Sequence, residues 1–498
     1  MTIDLPETVA GADVETWSDE VDVVVVGFGI AGACAALEAA RAGASVILLE
    51  RGAEYGGTSA MAGGHFYLGG GTAVQQAVGV TDSAEEMFKY LMAVSLDPEE
   101  TKIRAFCEDS VEHFDWIESL WMQFERSLYE EKAVIQPGTQ GLMYTGNEKV
   151  HPFRDLARPA PRGHKVPKPG DTGGAKMVLD RLAERIAEND IEVRYETGAS
   201  NLVTSVVEEP GNEASRVRVV GVAWRRFAER GFIRAGAVVV AAGGYVGNDA
   251  MVAAYTPQLG ANLFPLASTY DDGMGIRLGA SVGAELRFME QAFVTAPFYP
   301  PAQLVTGIVV NKLGKRFVAE DSYHSRTSGF VLDQPDQAAY LIVDSAHIAH
   351  PDFALCPFLD GWETVQEMEE GLGLPSGALQ ETLAAYNEGA RRKEDPDFHK
   401  HPDWLEPQDA GPWGAYDLTL GKAMYAGFTM GGMRVDLDGQ VERADGTVIP
   451  GLYAAGACAA NIAQDGKGYA SGTQLAEGSY FGRRAGRHAA SGPNSPGL

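Results

Sequence analysis

Three glycines, Gly27, Gly29 and Gly32, stand between a β-branched run and an alanine-rich stretch, a spacing that can hold a pyrophosphate. Gly27 would make the turn, Gly29 let backbone approach phosphate oxygens, and Gly32 let helix pack closely on strand. Phosphates would then sit beside Ile30 and Ala31 at a helix N-terminus, where free N–H groups and the helix dipole favour anions. Glu50 follows about twenty residues on, where an acidic side chain would bind ribose hydroxyls. This chemistry suits NAD and FAD alike. Two histidine pairs, His347 with His350 and His399 with His401, have ligand-like spacing but no acidic or cysteine set beside them, so no metal site is expected.

The elements that must position these residues are legible around them. Val21–Val26 is a continuous apolar run, interrupted only by Asp22, as in a parallel strand buried on both faces. A helix over Ala31–Ala42 and a second strand over Ser45–Glu50 complete a βαβ unit. Asp82 and Ser83 read as caps opening helical stretches to about Leu128, with Trp116, Trp121 and Phe124 as core. Pro- and Gly-rich sequence from Gln136 to Gly174 reads as long loops, then a helix follows around Ala175–Asn189. Residues Glu192 to Val240 alternate like antiparallel strands and run into a glycine turn ending at Gly244. A last helix is expected near Leu475–Ala490. The fold class is α/β: a Rossmann-like, doubly wound domain (residues 1–265 and 417–498) interrupted by an inserted α+β domain over residues 266–416.

Composition narrows the function. At 498 residues the chain is long enough for two or three domains. A net charge of −28 argues against nucleic acid or an anionic membrane as partner. Cys34, Cys107, Cys356 and Cys458 show no CxxC spacing, which excludes cysteine-ligated iron–sulfur and zinc-ribbon motifs. No stretch reaches the length of a membrane span, and the acidic first twenty residues do not read as a signal peptide. A cytoplasmic protein is expected.

Further motifs decide between the dinucleotides. Glu50 and Arg51 run into the small-residue stretch Gly56, Gly57, Thr58, Ser59 to Gly63 and Gly64, where a ring system could lie against backbone. Ala241, Ala242, Gly243 and Gly244 end one strand; Pro450 to Gly456 and Ala457 form another strand with a glycine turn. With Gly431–Gly432 and the segment from Gly314 through Arg316 and Phe317 to Glu320, the set resembles the flavoproteins of the fumarate reductase/succinate dehydrogenase superfamily over nearly the whole chain. The resemblance implies FAD. In covalent-FAD members a histidine stands where this chain has Gly57, so non-covalent FAD is implied, with His65 a packing residue. Where fumarate-reducing members carry an arginine proton donor, this chain reads Glu320 to His324. Where they bind a dicarboxylate, it has an apolar wall of Phe293, Val294, Phe298 and Tyr299, which suits a hydrophobic substrate because a dianion would need cationic partners.

Tyr323, Tyr469 and the run Tyr469 to Gly472 are similar to the 3-ketosteroid dehydrogenases, in particular the Δ4-(5α) branch, which forms 4-ene-3-ketones from 5α-3-ketosteroids. Desaturation beside a ketone removes an α proton and a β hydride. The resemblance implies Tyr469 as hydrogen-bond donor to the ketone, Tyr323 as proton acceptor relayed through Ser471, with His324 as its competitor, and Gly472 at the substrate. The alternatives are a Δ1-dehydrogenase or another enone reductase on the same scaffold. The electron acceptor stays open.

Overall fold

In the computed structural model, residues 3–120, 122–207, 216–259, 263–296, 301–351 and 355–491 are described. Strand β1 (Asp19–Val26), helix α1 (Ile30–Arg41) and strand β2 (Val46–Leu49) form the βαβ unit, with β1 and β2 parallel through Val23–Val46 to Val26–Leu49. The short helix α2 (Gly57–Met61) and the longer α3 (Ala175–Glu188) precede β3 (Glu192–Arg194), which extends the parallel sheet beside β2. Strand β5 (Arg216–Arg226) pairs antiparallel with β4 (Gly198–Val207) on one side and with β6 (Glu229–Val240) on the other, as the alternation predicts. β6 then pairs in parallel with β1, so Val238, Val239 and Val240 lie beside Val24, Val25 and Val26.

The β-branched run is buried because both faces of the sheet are covered. Val23 and Val25 pack with α1 and the last helix; Val24 and Val26 face the opposite cluster, which includes Leu278 and Met433. Leu278 belongs to α4 (Met274–Ser281), which packs back on the nucleotide sheet although its sequence lies beyond residue 265.

Between α4 and the return to that sheet the chain builds other layers. β7 (Ala292–Val294) is followed by β8 (Ile308–Asn311), α5 (His324–Leu332), β9 (Ala339–Asp344), β10 (Phe358–Trp362) and β11 (Trp413–Asp417). β8, β9, β11 and β10 make a four-stranded antiparallel sheet in that order. Its alternate residues fill separate clusters: Val309, Leu341 and Val343 on one face, Ile308, Val310 and Ile342 on the other. β12 (Tyr425–Thr429) joins β7 and Leu263–Pro265 in a small sheet, and β13 (Val448–Ala454) returns to pair with β6. The last helix, α6 (Thr473–Ser491), lies along α1. Glycines at every fourth residue make that approach possible: a Cβ at Gly482 would stand 2.4 Å from the Ala31 carbonyl oxygen, and one at Gly486 2.1 Å from that of Ala35.

The helical region opens as read at Ser83, whose hydroxyl accepts the Glu86 N–H. Asp82 takes a different role, pairing with Arg162 at 2.8 Å, both side chains fully buried. Trp116 packs at the edge of the main core, Phe124 is buried in it, and Trp121 falls outside the described residues.

Candidate active site

Three glycine turns converge at the ends of the parallel strands. Gly27 has φ of 105°, open to glycine alone without strain, and a Cβ there would stand 2.4 Å from the Ala241 carbonyl oxygen. At Gly32 a Cβ would meet the Gly27 oxygen at 1.8 Å, so the helix abuts the turn directly. Gly29 caps α1 without a side chain, and Ser59 Oγ accepts the Ile30 N–H at 3.1 Å. Ala31 and Gly32 follow in the first turn, where helix amides lack intrahelical acceptors. The second turn holds Ala242, whose N–H donates to Cys458 Sγ, and Gly243, whose carbonyl accepts from that thiol. Cys458 thereby ties it to the third turn, which holds Gly456 and Ala457.

Other expected cradle residues divide by what they touch. Glu50 is buried, and its carboxylate accepts the N–H groups of Phe28 at 2.8 Å and Gly52 at 2.6 Å, bracing the glycine turn. A Cβ at Gly57 would meet no atom within 4 Å, so this glycine borders open space. Thr58 donates to Asp271 Oδ2 and accepts the Ser268 N–H, which leaves its side chain engaged with the 268–271 loop. Arg51 pairs with Asp272 at 2.7 Å and lies over the Tyr270 ring. Gly63 and Gly64 serve chain packing: a Cβ at either would lie 2.9 Å from backbone of the 171–174 loop. His65 is buried and bonded to Gln136 Oε1 at 2.8 Å. A helix start whose N-cap glycine brings no side chain, a bare glycine at α2 and an acidic strand end fit a dinucleotide.

Tyr323, Tyr469 and Ser471 come together around the Phe293 cluster. Tyr323 precedes α5, its hydroxyl hydrogen-bonds to Ser471 Oγ, and Asn147 Oδ1 accepts its backbone N–H at 2.9 Å. Ser471 is fixed by Thr145, which accepts its N–H and donates its own hydroxyl to the Ser471 carbonyl. Gly472 has φ of 97°, its carbonyl is taken by the Tyr67 N–H, and a Cβ would meet that nitrogen at 2.8 Å. Phe293 is the hub of the apolar wall: its ring lies 4.8 Å from Tyr469, 4.7 Å from Phe428 and 5.6 Å from His324. Met430 and Ala463 complete the cluster. Val294, one residue on, faces the core of the second sheet instead, as strand alternation requires. Phe298 and Tyr299 lie outside the described residues.

The electrostatics of this corner are set by burial. Desolvation holds the Tyr323 and Tyr469 phenols well above the ordinary phenol range, so both are O–H groups at rest. Burial, with a smaller push from Lys132, drives His324 down to about 3, so its ring is neutral. Glu477, accepting the N–H groups of Ile462 and Ala463, is pushed by burial up to about 8. The arrangement can donate a hydrogen bond to one neutral oxygen and pass a proton between Ser471 and Tyr323, within apolar walls. Sequence reasoning missed Thr145, Asn147, Phe428, Met430, Asp271 and Glu477. Of these, only the lone acid in the apolar stretch of α6 carried a visible signal.

The chain is similar to known flavoproteins over nearly its whole length. The chain is similar to the crystal structure of 3-ketosteroid-Δ4-(5α)-dehydrogenase from Rhodococcus jostii in complex with 4-androstene-3,17-dione, at 39% identity and TM-score 0.89, covering 97% of this chain and 99% of that one. It is 28% identical to 3-oxo-5-alpha-steroid 4-dehydrogenase of Comamonas testosteroni, over 90% of this chain and 94% of the relative. It is 27% identical to vinyl phenol reductase of Lactiplantibacillus plantarum, over 95% and 97%. The FAD binding domain family matches residues 22–472. The chain belongs to this FAD binding domain family, and it is a flavoprotein oxidoreductase.

Proposed function

We propose that the protein desaturates a 3-ketosteroid at C4–C5, converting a 5α-3-ketosteroid to a 4-ene-3-ketone with non-covalently held FAD. One observation carries this reading: the Tyr323 hydroxyl bonded to Ser471 Oγ, beside the Tyr469 phenol and under the Phe293 and Phe428 rings. The three glycine turns and Glu50 would hold the cofactor, Gly57 stands where a covalent link would need histidine, and residues 266–416, apart from α4, would cap the substrate. When bound, FAD supplies a hydride acceptor at N5.

The chain's own residues do the rest. Tyr469 donates to the ketone oxygen, where enolate charge develops as the α proton leaves. Tyr323 acts as the base once its phenol proton has left to solvent: Ser471 takes the α proton as the Tyr323 phenolate takes the serine's, which leaves Tyr323 as a neutral phenol. His324 is a poor competitor: its ring has no hydrogen bond to Ser471 or any other group, and burial weakens it as a base. Among the described residues, Phe293, Phe428, Met430 and Ala463 present an apolar surface with no charged group of their own for a dicarboxylate. Because both phenols rest protonated, the same residues can also deliver a proton to the α carbon, which favours reduction of an enone as the second reading.

Anaerobic flavin bleaching tests the proposal. Saturated 5α-3-ketosteroids should bleach the flavin and yield the 4-ene product, while succinate should not. A 1-ene product would assign a Δ1-dehydrogenase. Reoxidation of reduced flavin by an enone, with no bleaching by the saturated ketone, would establish the reductase.

A further inference from the structure

His324 has no part in the mechanism proposed above, and its setting differs from that of every other buried histidine. His65 bonds to Gln136, His113 to Ser479 and Arg483, and His164 to Thr72 and the Arg162 carbonyl. His324 is 4% exposed, yet neither ring nitrogen has a hydrogen-bond partner. Its ring lies 4.2 Å from that of Tyr323 and stands edge-on to Phe293, so it borders the substrate cluster. Thr327 is three residues on, hence on the same face of α5, and its buried hydroxyl is also unpartnered.

Each such orphan is costly relative to a satisfied group, whereas leucine and valine would fill the space without that penalty. Polar side chains persisting there point to a ligand that satisfies them. The ligand's chemistry follows from theirs. The neutral imidazole offers one N–H and one lone pair, and the hydroxyl one O–H and two lone pairs. The nearby Lys132 ammonium donates to the Asp321 carbonyl, and the Asp321 carboxylate accepts the His401 N–H. A neutral pair of this kind suits a neutral oxygen and not a carboxylate.

Building on the steroid reading above, we infer that His324 and Thr327 form a polar subsite for a second neutral oxygen, a ketone or hydroxyl, carried by the substrate beyond its reacting 3-ketone. Tyr469 serves the 3-ketone, so the subsite governs which steroids are held and not how fast the bond is desaturated.

Binding of 4-ene-3-ketones, followed by perturbation of the holoenzyme's flavin absorbance, tests this without turnover. The probes are a parent 4-ene-3-ketone with no other oxygen, and analogues with one further ketone or hydroxyl at C6, C11 or C17. The wild type should bind at least one analogue about tenfold more tightly than the parent. His324→Phe should abolish that preference and Thr327→Val reduce it, with affinity for the parent kept by both. Wild-type protein that binds parent and analogues equally, or a preference that survives both substitutions, overturns the subsite alone. Wild-type holoenzyme that binds no 4-ene-3-ketone at all sinks the steroid reading and the subsite with it.

Discussion

The ground-state ketone accepts a hydrogen bond only moderately, but the enolate-like transition state carries far more charge on the same oxygen. Tyr469→Phe should therefore lower kcat by about 10²–10³, the usual cost of one such donor, and change steroid affinity little. Steady-state kinetics check it: an unchanged kcat with a raised KM would make Tyr469 a binding residue. The base is separated by pH. Burial lifts the Tyr323 phenol, so activity relayed through it should keep rising up to and beyond pH 9 in kcat/KM. A base at His324, pushed down to about 3, would give a profile flat above about pH 5. Tyr323→Phe should nearly abolish desaturation with FAD retained, and Ser471→Ala should be milder. The two tyrosines and the serine were named through the resemblance to the 3-ketosteroid dehydrogenases, since neither periodicity nor spacing singles them out. Thr145 and Asn147, which fix them, were not: they come from a loop without periodicity, and only the folded chain brings it over residues 323 and 471.

At the scale of elements, β-branched runs and alternation carried most of the fold, since strands buried on both faces leave a continuous apolar signature. The packing of α4 on the nucleotide sheet was less visible, because an amphipathic pattern does not say which layer it will cover. The close seat of α6 on α1 depends on Gly482 and Gly486, small residues whose meaning appears only once Ala31 and Ala35 face them. The same helix carries Glu477, which ties Ile462 and Ala463 to it behind Tyr469. Its carboxyl is raised from the ordinary 4.5 to about 8, so folding disfavours its ionised form. Below the unfolded value both states are protonated and nothing is lost; stability falls as pH rises from about 4.5 through about 8. Glu477→Gln, which mimics the neutral acid, should match the wild type near pH 5 and melt higher near pH 9. Parallel melting curves across that range would remove Glu477 from the pH response.

For the molecule as a whole, the three glycine turns proposed to hold the cofactor come from both ends of the chain. Turns at residues 27–32, 241–244 and 456–458 meet only in the folded state, so FAD that is held without a covalent bond should bind native protein and not the unfolded chain. Two consequences follow. Acid precipitation should leave the yellow colour in the supernatant; colour on the pellet would refute the assignment of Gly57. Added FAD should also raise the melting temperature with concentration, since ligand at a hundred times its Kd stabilises by about 2.7 kcal/mol. Glu50→Ala should weaken this effect on two counts: it removes the carboxylate expected at the ribose, and it releases the Phe28 and Gly52 amides that brace the turn. Glu50→Gln separates them, because its one carbonyl oxygen can keep only part of that brace while losing the charge. A graded loss of FAD affinity from wild type through glutamine to alanine is the expected order, read by equilibrium titration of the apoprotein. Equal affinity in all three would leave Glu50 as a residue of the fold alone.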